Sequence, residues 1–238
     1  MGQERIADEL RGERGGVISA DTFRRLFLLN VIANFRRGSY GLKRLHKVTY
    51  IAERSQKMNL RPFEFKKYHH GQYSETLDEI KDQLITLGLV LATPLDTSIR
   101  TIFRLADGKT VEWLEGGTRY TVSDPEAIAF FTQIFASILP EGLATVRYAV
   151  RKFGYLPEQE LLDQCYAFPE FNEADFEEML FVSNLPDMIE APNLSEDECE
   201  ELEMALSPKF IAAMKKIVEG MDNSKLDLER VKEGEVPV

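Results

Sequence analysis

Few residues in this sequence of 238 residues could support metal or nucleophilic chemistry. The candidates are three histidines (His46, His69 and His70) and two cysteines (Cys165 and Cys199). His69 and His70 are adjacent on a predicted strand, so their side chains point to opposite faces and cannot both bind one metal in regular geometry. The cysteines form no CxxC pair, and the acidic or apolar residues around them oppose formation of a reactive thiolate.

Motifs for nucleotide binding and hydrolysis are absent. The sequence contains no Walker loop, no GxGxxG, no GxSxG and no HExxH. Carboxylate pairs are frequent over 170–203, but each pair fits a solvated helix face equally well. We therefore expect no catalytic residue, no cofactor and no metal, and we predict that the protein is not an enzyme.

The most distinctive segment is YHHGQYS, residues 68–74. Gly71 permits a tight turn between a strand and a helix, and Ser74 is a good N-cap for that helix. The free N–H groups at the start of the helix could bind an anion or a partner carboxylate. Three acids in its first turns, Glu75, Asp78 and Glu79, however, repel phosphate from that end.

Charge is distributed unevenly along the chain. The net charge is −11, yet residues 1–70 hold 15 Lys and Arg against 7 Asp and Glu, whereas residues 155–238 hold 6 against 22. The two ends could compensate each other within the molecule, or they could face an anion and a cationic protein respectively. The candidate nucleic-acid contacts in the basic region are Arg36, Arg37, Lys43, Arg44 and Lys47.

The acidic region offers a second candidate surface. Residues 173–203 contain no Lys or Arg, and apolar residues that could anchor a partner are interleaved with the acids: Phe176, Phe181, Leu202 and Met204. Such a surface would associate quickly with a basic partner, unless it is a solvated face that only maintains solubility. The candidate partner-binding residues are Tyr68, His69, His70, Gly71, Tyr73, Ser74, Glu177, Glu178, Glu200 and Glu201.

Hydrophobic periodicity predicts the elements that position these residues. In the first half we expect helices at 21–36, 42–57 and 75–87, strands at 63–69, 89–91 and 118–122, and a hairpin around Asp107-Gly108. From residue 124 we expect helices at 125–139, 141–153, 157–165 and 173–182, then one after Ser195 and one after Ser207. The helix at 75–87 has the clearest period, with Leu77, Ile80, Leu84 and Leu87 on one face.

This order predicts an α+β fold that is mostly helical. We expect a polar segment at 1–20, a winged-helix-like unit with a β-hairpin wing at 21–123, and an acidic α-helical extension at 124–238. No apolar run approaches the ~20 residues that a membrane-spanning helix needs, and the charged N-terminus is not a secretory signal. We therefore expect a cytoplasmic protein that does not bind a membrane.

The segments at 42–51 and 63–90 resemble the core of the Panacea or SocA-like antitoxin domain family and its YwgA-type relatives. The residues that carry the resemblance are Leu42, Leu45, Val48, Tyr50 and Ile51, then Tyr68, Gly71, Tyr73 and Ser74, then Leu84 and Gly88-Leu89-Val90. The sequence departs from the family pattern at His69-His70 and at Gln72, where proline is usual. The resemblance covers about residues 40–92 and does not extend to 124–238.

What the resemblance implies is a protein-binding module of a toxin–antitoxin system, which neutralises a partner toxin by direct contact. We therefore expect an antitoxin whose partner is a basic protein. The alternative is a winged-helix regulator that binds nucleic acid through its basic N-terminal helices. The helix in the recognition position, SETLDEIKDQLITLG, argues against this alternative because it carries four acids and one lysine.

Overall fold

The computed structural model of the protein describes residues 15–54, 60–69, 71–95, 100–104, 110–114 and 117–217, with only the backbone for 100–104 and 110–114. The helices are α1 (Ala20–Ala33), α2 (Leu42–Arg54), α3 (Glu75–Thr86), α4 (Pro125–Ile138), α5 (Pro140–Phe153), α6 (Glu158–Tyr166), α7 (Pro169–Glu173), α8 (Glu196–Ala205) and α9 (208–217). The strands are β1 (Gly16–Ser19), β2 (Ser39–Tyr40), β3 (Phe65–Tyr68), β4 (Gly71–Tyr73), β5 (Val90–Leu95), β6 (Arg100–Arg104), β7 (Thr110–Leu114), β8 (Gly117–Val122), β9 (Met179–Phe181) and β10 (Met188–Ala191). This composition confirms the predicted α+β, mostly helical class.

Side-chain caps fix where several helices begin. Ser74 accepts a hydrogen bond from Leu77 N at 3.1 Å, and Asp124 accepts one from Glu126 N at 2.8 Å. Ser195 forms the predicted capping box with Glu198 at the start of α8. These side chains satisfy N–H groups that have no acceptor within the helix, which is why short polar residues mark the boundaries.

The strands form four small antiparallel sheets. Their orders are β2-β8-β5, β4-β3-β9, β1-β10 and β6-β7. The β6-β7 pair is the predicted hairpin, and the turn at Asp107-Gly108 lies outside the described residues. The winged-helix-like arrangement of the first half stays a prediction.

One apolar core joins the first half of the chain to the second. Phe23 and Phe27 of α1 both contact Phe135 of α4, with ring centroids 5.9 Å apart in each pair. Pairing of β1 with β10, and of β3 with β9, also crosses the predicted boundary at residue 123. The acidic extension therefore contributes to the same core as the first half.

The predicted helix at 75–87 buries the face that its sequence indicates. Leu77, Ile80 and Leu84 are at most 2 % exposed, and Leu87 just after α3 is half-buried.

In the described part of the chain, no helix has both the length and the apolar character needed to cross a membrane.

The predicted helix at 173–182 is wrong. The chain leaves α7 at Ala174, turns at Glu177 with φ of +63°, and continues as β9. Lys67 N donates to Glu178 O at 2.9 Å, and Glu177 N donates to Lys67 O at 2.8 Å. Pairing with β3, which is more than a hundred residues away in sequence, therefore satisfies this backbone in place of helical bonds.

Strands β1 and β4 were not among the predicted elements. Residues 16–19 pair with β10, and residues 71–73 pair with β3. In both places the partner strand supplies the hydrogen bonds. These segments are short and contain glycine, so their own sequences give little indication that they pair as strands.

Candidate functional site

The turn between β3 and β4 displays the segment that the sequence singled out. Tyr68 pairs with Gly71 across the turn, and Gly71 has φ of +107°, a conformation that favours glycine. A Cβ at this position would also lie 3.4 Å from Cε of Lys47. Gly71 therefore serves the turn and its close packing, while Tyr68 and His69 face solvent. His70 lies outside the described residues.

The segment before β9 adds a fourth aromatic ring to the rings around this turn. We call Tyr68, His69, Tyr73 and Phe176 the aromatic patch. The Phe176 ring centroid lies 5.5 Å from that of Tyr68 and 4.3 Å from that of His69, and the Tyr68 and Tyr73 centroids are 5.6 Å apart. Tyr68 is 43 % exposed and Phe176 is 50 % exposed. The pairing of 177–178 with β3 thus creates a continuous exposed aromatic surface from two distant parts of the chain.

Acids border the aromatic patch. Glu177 and Glu178 directly follow Phe176 and are exposed, and Glu75 at the start of α3 is also exposed. Lys66 Nζ lies 3.6 Å from Glu75 Oε1. Exposed rings with a polar, charged border are typical of the anchor regions of protein interfaces.

A buried polar network supports the aromatic patch from beneath. His46 of α2 stacks on Tyr73, with ring centroids 5.0 Å apart. Ser74 N donates to His46 Nδ1 at 3.1 Å, so Nε2 carries the ring proton and donates to Asp78 Oδ1 at 3.0 Å. Tyr73 Oη donates to Asp78 Oδ2 at 3.0 Å. The network therefore fixes Tyr73 and the start of α3 relative to α2.

The ionisation of this network follows from its burial. Burial lowers the pKa of His46, and the hydrogen bond with Asp78 only partly offsets that effect. For Asp78, burial opposes ionisation, but hydrogen bonds from His46 and Tyr73 and the charge of Lys81 keep the pKa of the carboxyl below its usual value. Burial and the bond to Asp78 raise the pKa of Tyr73 to about 12. A neutral histidine and an ionised aspartate are thus the favoured pair.

The remaining predicted partner-binding residues have other positions. Ser74 is buried and serves as the cap of α3. Glu200 and Glu201 are exposed on α8, which packs against β1. No hydrogen bond, ion pair or ring contact among the described residues joins these two acids to the aromatic patch. Of the predicted apolar anchors, Phe176 and Met204 are exposed, whereas Phe181 and Leu202 are buried in the core.

The predicted basic surface is wrong at Arg44 and Lys47. Arg44 is 5 % exposed and Lys47 is 1 % exposed, whereas Arg36, Arg37 and Lys43 are exposed. Helices α5 and α6 and strand β4 cover the polar side of α2, so that side does not face solvent. Periodicity showed which side of α2 is polar, but it gave no sign that later helices cover this side as well.

The two buried cations, Arg44 and Lys47, contribute to the interior of the fold and not to a solvent-facing surface. Arg44 Nη1 donates to the carbonyl oxygens of Gly154 at 3.0 Å and Leu156 at 2.8 Å, at the end of α5 where a cation favours the helix dipole. Burial lowers the pKa of Arg44 to about 10 and also lowers the pKa of Lys47. Their charges are therefore unavailable to a large ligand.

The cysteines and acids give no sign of catalytic or metal chemistry. Cys165 and Cys199 are buried free thiols, and burial raises the pKa of Cys165 to about 12. Within the described ranges, no group of three or more His, Cys, Asp and Glu side chains could hold a metal ion.

Comparisons with known proteins add no relative. No family model, no curated protein and no solved structure matches this chain. The aromatic patch, its acidic border and the residues beneath it are the features that bear on function.

Proposed function

We propose that the protein is a non-enzymatic protein-binding module of the cytoplasm that regulates a partner by direct contact, as an antitoxin does. The resemblance of residues 40–92 to the Panacea or SocA-like family supports this proposal. A winged-helix-like first half would act here as a scaffold for protein contact, since its α3 exposes acids such as Glu79 and Asp82 rather than base-reading cations.

The observation that carries the proposal is the exposed aromatic patch. Tyr68 and Phe176 stack on each other while about half of each side chain remains in contact with water. Burial of such rings in an interface removes apolar area from water, at about 25 cal/mol per Å², and costs little side-chain entropy. The buried network under Tyr73 holds the patch in place before a partner arrives, which lowers the ordering cost of binding.

The acidic border favours a basic partner. Glu177 and Glu178 lie beside Phe176, and the surrounding segment from 171 to 208 contains no Lys or Arg. Charges of one sign at the border of an interface accelerate the encounter with a partner of opposite sign, and salt reduces this effect. The partner that fits is a cationic protein, such as a toxin directed at nucleic acid.

The test is co-purification with the full chain from its native cells. Combined Tyr68→Ala and Phe176→Ala should abolish recovery of a partner that the unchanged chain retains. The matched control is Phe130→Ala, because Phe130 is 59 % exposed on α4 and lies outside the patch. Equal loss with the control, or full retention after both patch changes, would overturn the proposal. A small toxic reading frame beside the gene is the first candidate for the recovered partner.

Charge neutralisation tests the border separately from the rings. Glu177→Gln with Glu178→Gln should slow association with the recovered partner at low salt and have little effect at high salt. Glu200→Gln with Glu201→Gln, which makes the same change in net charge on α8, is the control. If the two substitutions on α8 slow association and those at Glu177 and Glu178 do not, the interface lies on α8 rather than at the aromatic patch.

The nucleic-acid alternative is less well supported in its predicted form. Two of its five cations, Arg44 and Lys47, are buried, which leaves Arg36 and Arg37 in the turn after α1 and Lys43 at the start of α2. Three cations give a weak and strongly salt-dependent contact with phosphates.

A further inference from the structure

Helix α5 has a basic solvent face, although the second half of the chain is acidic overall. Arg147, Arg151 and Lys152 are exposed along it, together with Tyr148. Residues at i and i+4 share one side of a helix, so Arg147 and Arg151 lie one above the other. Neither of these two arginines has a carboxylate within salt-bridge distance among the residues that the structure describes. Their charges therefore remain available to a ligand.

The end of α5 lies beside the exposed cations of the first half. Arg36 N donates to Tyr155 Oη at 2.7 Å, and the Phe35 and Tyr155 ring centroids are 5.9 Å apart. Arg44, one residue after Lys43, donates to Gly154 O and Leu156 O. These contacts place the end of α5, with Arg151 and Lys152, beside the segments that carry Arg36, Arg37 and Lys43. We call these five cations and Arg147 the basic surface.

Acids border this surface but are fewer than its cations. Glu141 lies at the start of α5, and Glu158 and Glu160 lie at the start of α6; all three are exposed. Glu158 also acts on the buried Arg44 and Lys47, whose pKa values it raises against the effect of burial. A locally positive surface of this kind attracts polyanions even when the whole molecule is acidic, because salt limits the reach of distant charges to about 10 Å.

The composition of the basic surface favours contact with a phosphate backbone. Arg and Lys are the residues that neutralise phosphates, and here they come from three elements rather than from one helix that could enter a groove. Single-strand binding would need several free aromatic faces for successive bases. Tyr148 is exposed, but Lys152 Nζ lies 5.3 Å from its ring centroid, while Phe35 is buried and Tyr155, which contacts it, is half-buried. Duplex DNA is therefore the better fit.

We infer that the basic surface binds the sugar–phosphate backbone of duplex DNA without reading its sequence. This surface is separate from the aromatic patch, so the inference does not depend on the proposed protein-binding function. A chain with both surfaces would hold a captured partner close to DNA.

The experiment measures binding of the full chain to a fluorescently labelled duplex over a series of salt concentrations. Arg147→Glu with Arg151→Glu should weaken binding at least about tenfold at low salt. It should also reduce the slope of log K against log salt by about 2, since each phosphate contact contributes about 0.9. The matched control is Lys209→Glu with Lys216→Glu, which makes the same change in net charge at two exposed positions of α9.

Loss of affinity with the α5 pair and its retention with the α9 pair would support the inference. Equal weakening by both pairs, or no binding of the unchanged chain at low salt, would overturn it. Tighter binding to a single strand, or to phosphatidylserine vesicles, would overturn the choice of duplex DNA. Tyr68→Ala with Phe176→Ala should leave DNA affinity unchanged, which separates this result from the test of the aromatic patch.

Discussion

His46 links the interior of the protein to the aromatic patch through two different ring nitrogens. Nδ1 accepts from Ser74 N, and Nε2 donates to Asp78. A proton added at Nδ1 would face the N–H of Ser74 and break the first bond. The charged groups around the ring are Asp78, Lys81 and Lys47, two of which are cations that oppose protonation. The histidine is therefore stabilised in its neutral form.

This arrangement predicts a loss of stability in mild acid. Burial holds the pKa of His46 below its usual value of 6.5 in the folded chain, so below about pH 6.5 the unfolded chain binds more protons and stability falls. His46→Gln should flatten the dependence of the unfolding free energy on pH between about 5 and 7 in urea titrations. His69→Gln, at an exposed histidine, is the control. Equal slopes for His46→Gln and the unchanged chain would contradict the prediction.

Glu53 contributes a pH dependence of opposite sign. It is 2 % exposed, accepts from Phe63 N at 3.2 Å, and burial raises its pKa well above the usual 4.5. A raised folded-state pKa gives stability that is present at low pH and is lost as the pH rises through that value. Because Glu53 is present in the unchanged chain and in both histidine variants, its contribution cancels when their slopes are compared.

One carboxylate of α8 hydrogen-bonds with residues at the start of α1. Glu203 accepts from Ser19 N at 2.5 Å, from Ser19 Oγ at 3.0 Å and from Thr22 Oγ1 at 2.6 Å. An acid at the N-terminus of α1 is also favoured by the helix dipole. The most acidic helix of the described chain therefore stabilises the start of α1, whose apolar residues lie in the core.

Loss of this carboxylate should destabilise the fold. Glu203→Ala should lower the unfolding free energy by about 1.5–3 kcal/mol, as for hydrogen bonds to a charged group. Glu200→Ala on the same helix is exposed and should change it by less than about 0.5 kcal/mol. Chemical denaturation at neutral pH measures both values. Similar values for the two variants would mean that Glu203 acts only as a solvated surface acid.

The whole molecule depends on contacts between its two halves. Phe135 of α4 fills the space between Phe23 and Phe27 of α1, and β9 and β10 pair with strands of the first half. A fragment that ends at residue 123 would expose these core side chains and leave two strands without their neighbours. The basic first third and the acidic last third thus share one core, whatever partners their surfaces bind.

A fragment of residues 15–123 should therefore not fold by itself. We expect it to lack a cooperative thermal transition by circular dichroism and to bind a hydrophobic dye, whereas the full chain unfolds cooperatively. The fragment cannot bury the apolar surface that α4 and α5 cover in the full chain. A cooperative transition in the fragment would instead support an independent domain at 21–123.

Local signals in the sequence were sufficient to predict most helices and the fold class. The spacing of Leu77, Ile80 and Leu84 predicted the buried face of α3, and Ser74 and Ser195 predicted where two helices begin. These features arise within one or two helical turns, so neighbouring residues alone determine them. The absence of a hydrolase or nucleotide motif is likewise a property of the sequence itself.

Pairing between distant segments produced the features that the sequence left open. The pattern over 173–182 predicted a helix, but residues 177–181 hydrogen-bond with β3, and this pairing brings Phe176 onto Tyr68. The sequence pattern predicted that Arg44 and Lys47 face solvent, but α5 and α6 cover them. The exposed cations in this region include Arg147 and Arg151 of α5. Periodicity identifies the polar side of an element, whereas solvent reaches that side only where no other element packs on it.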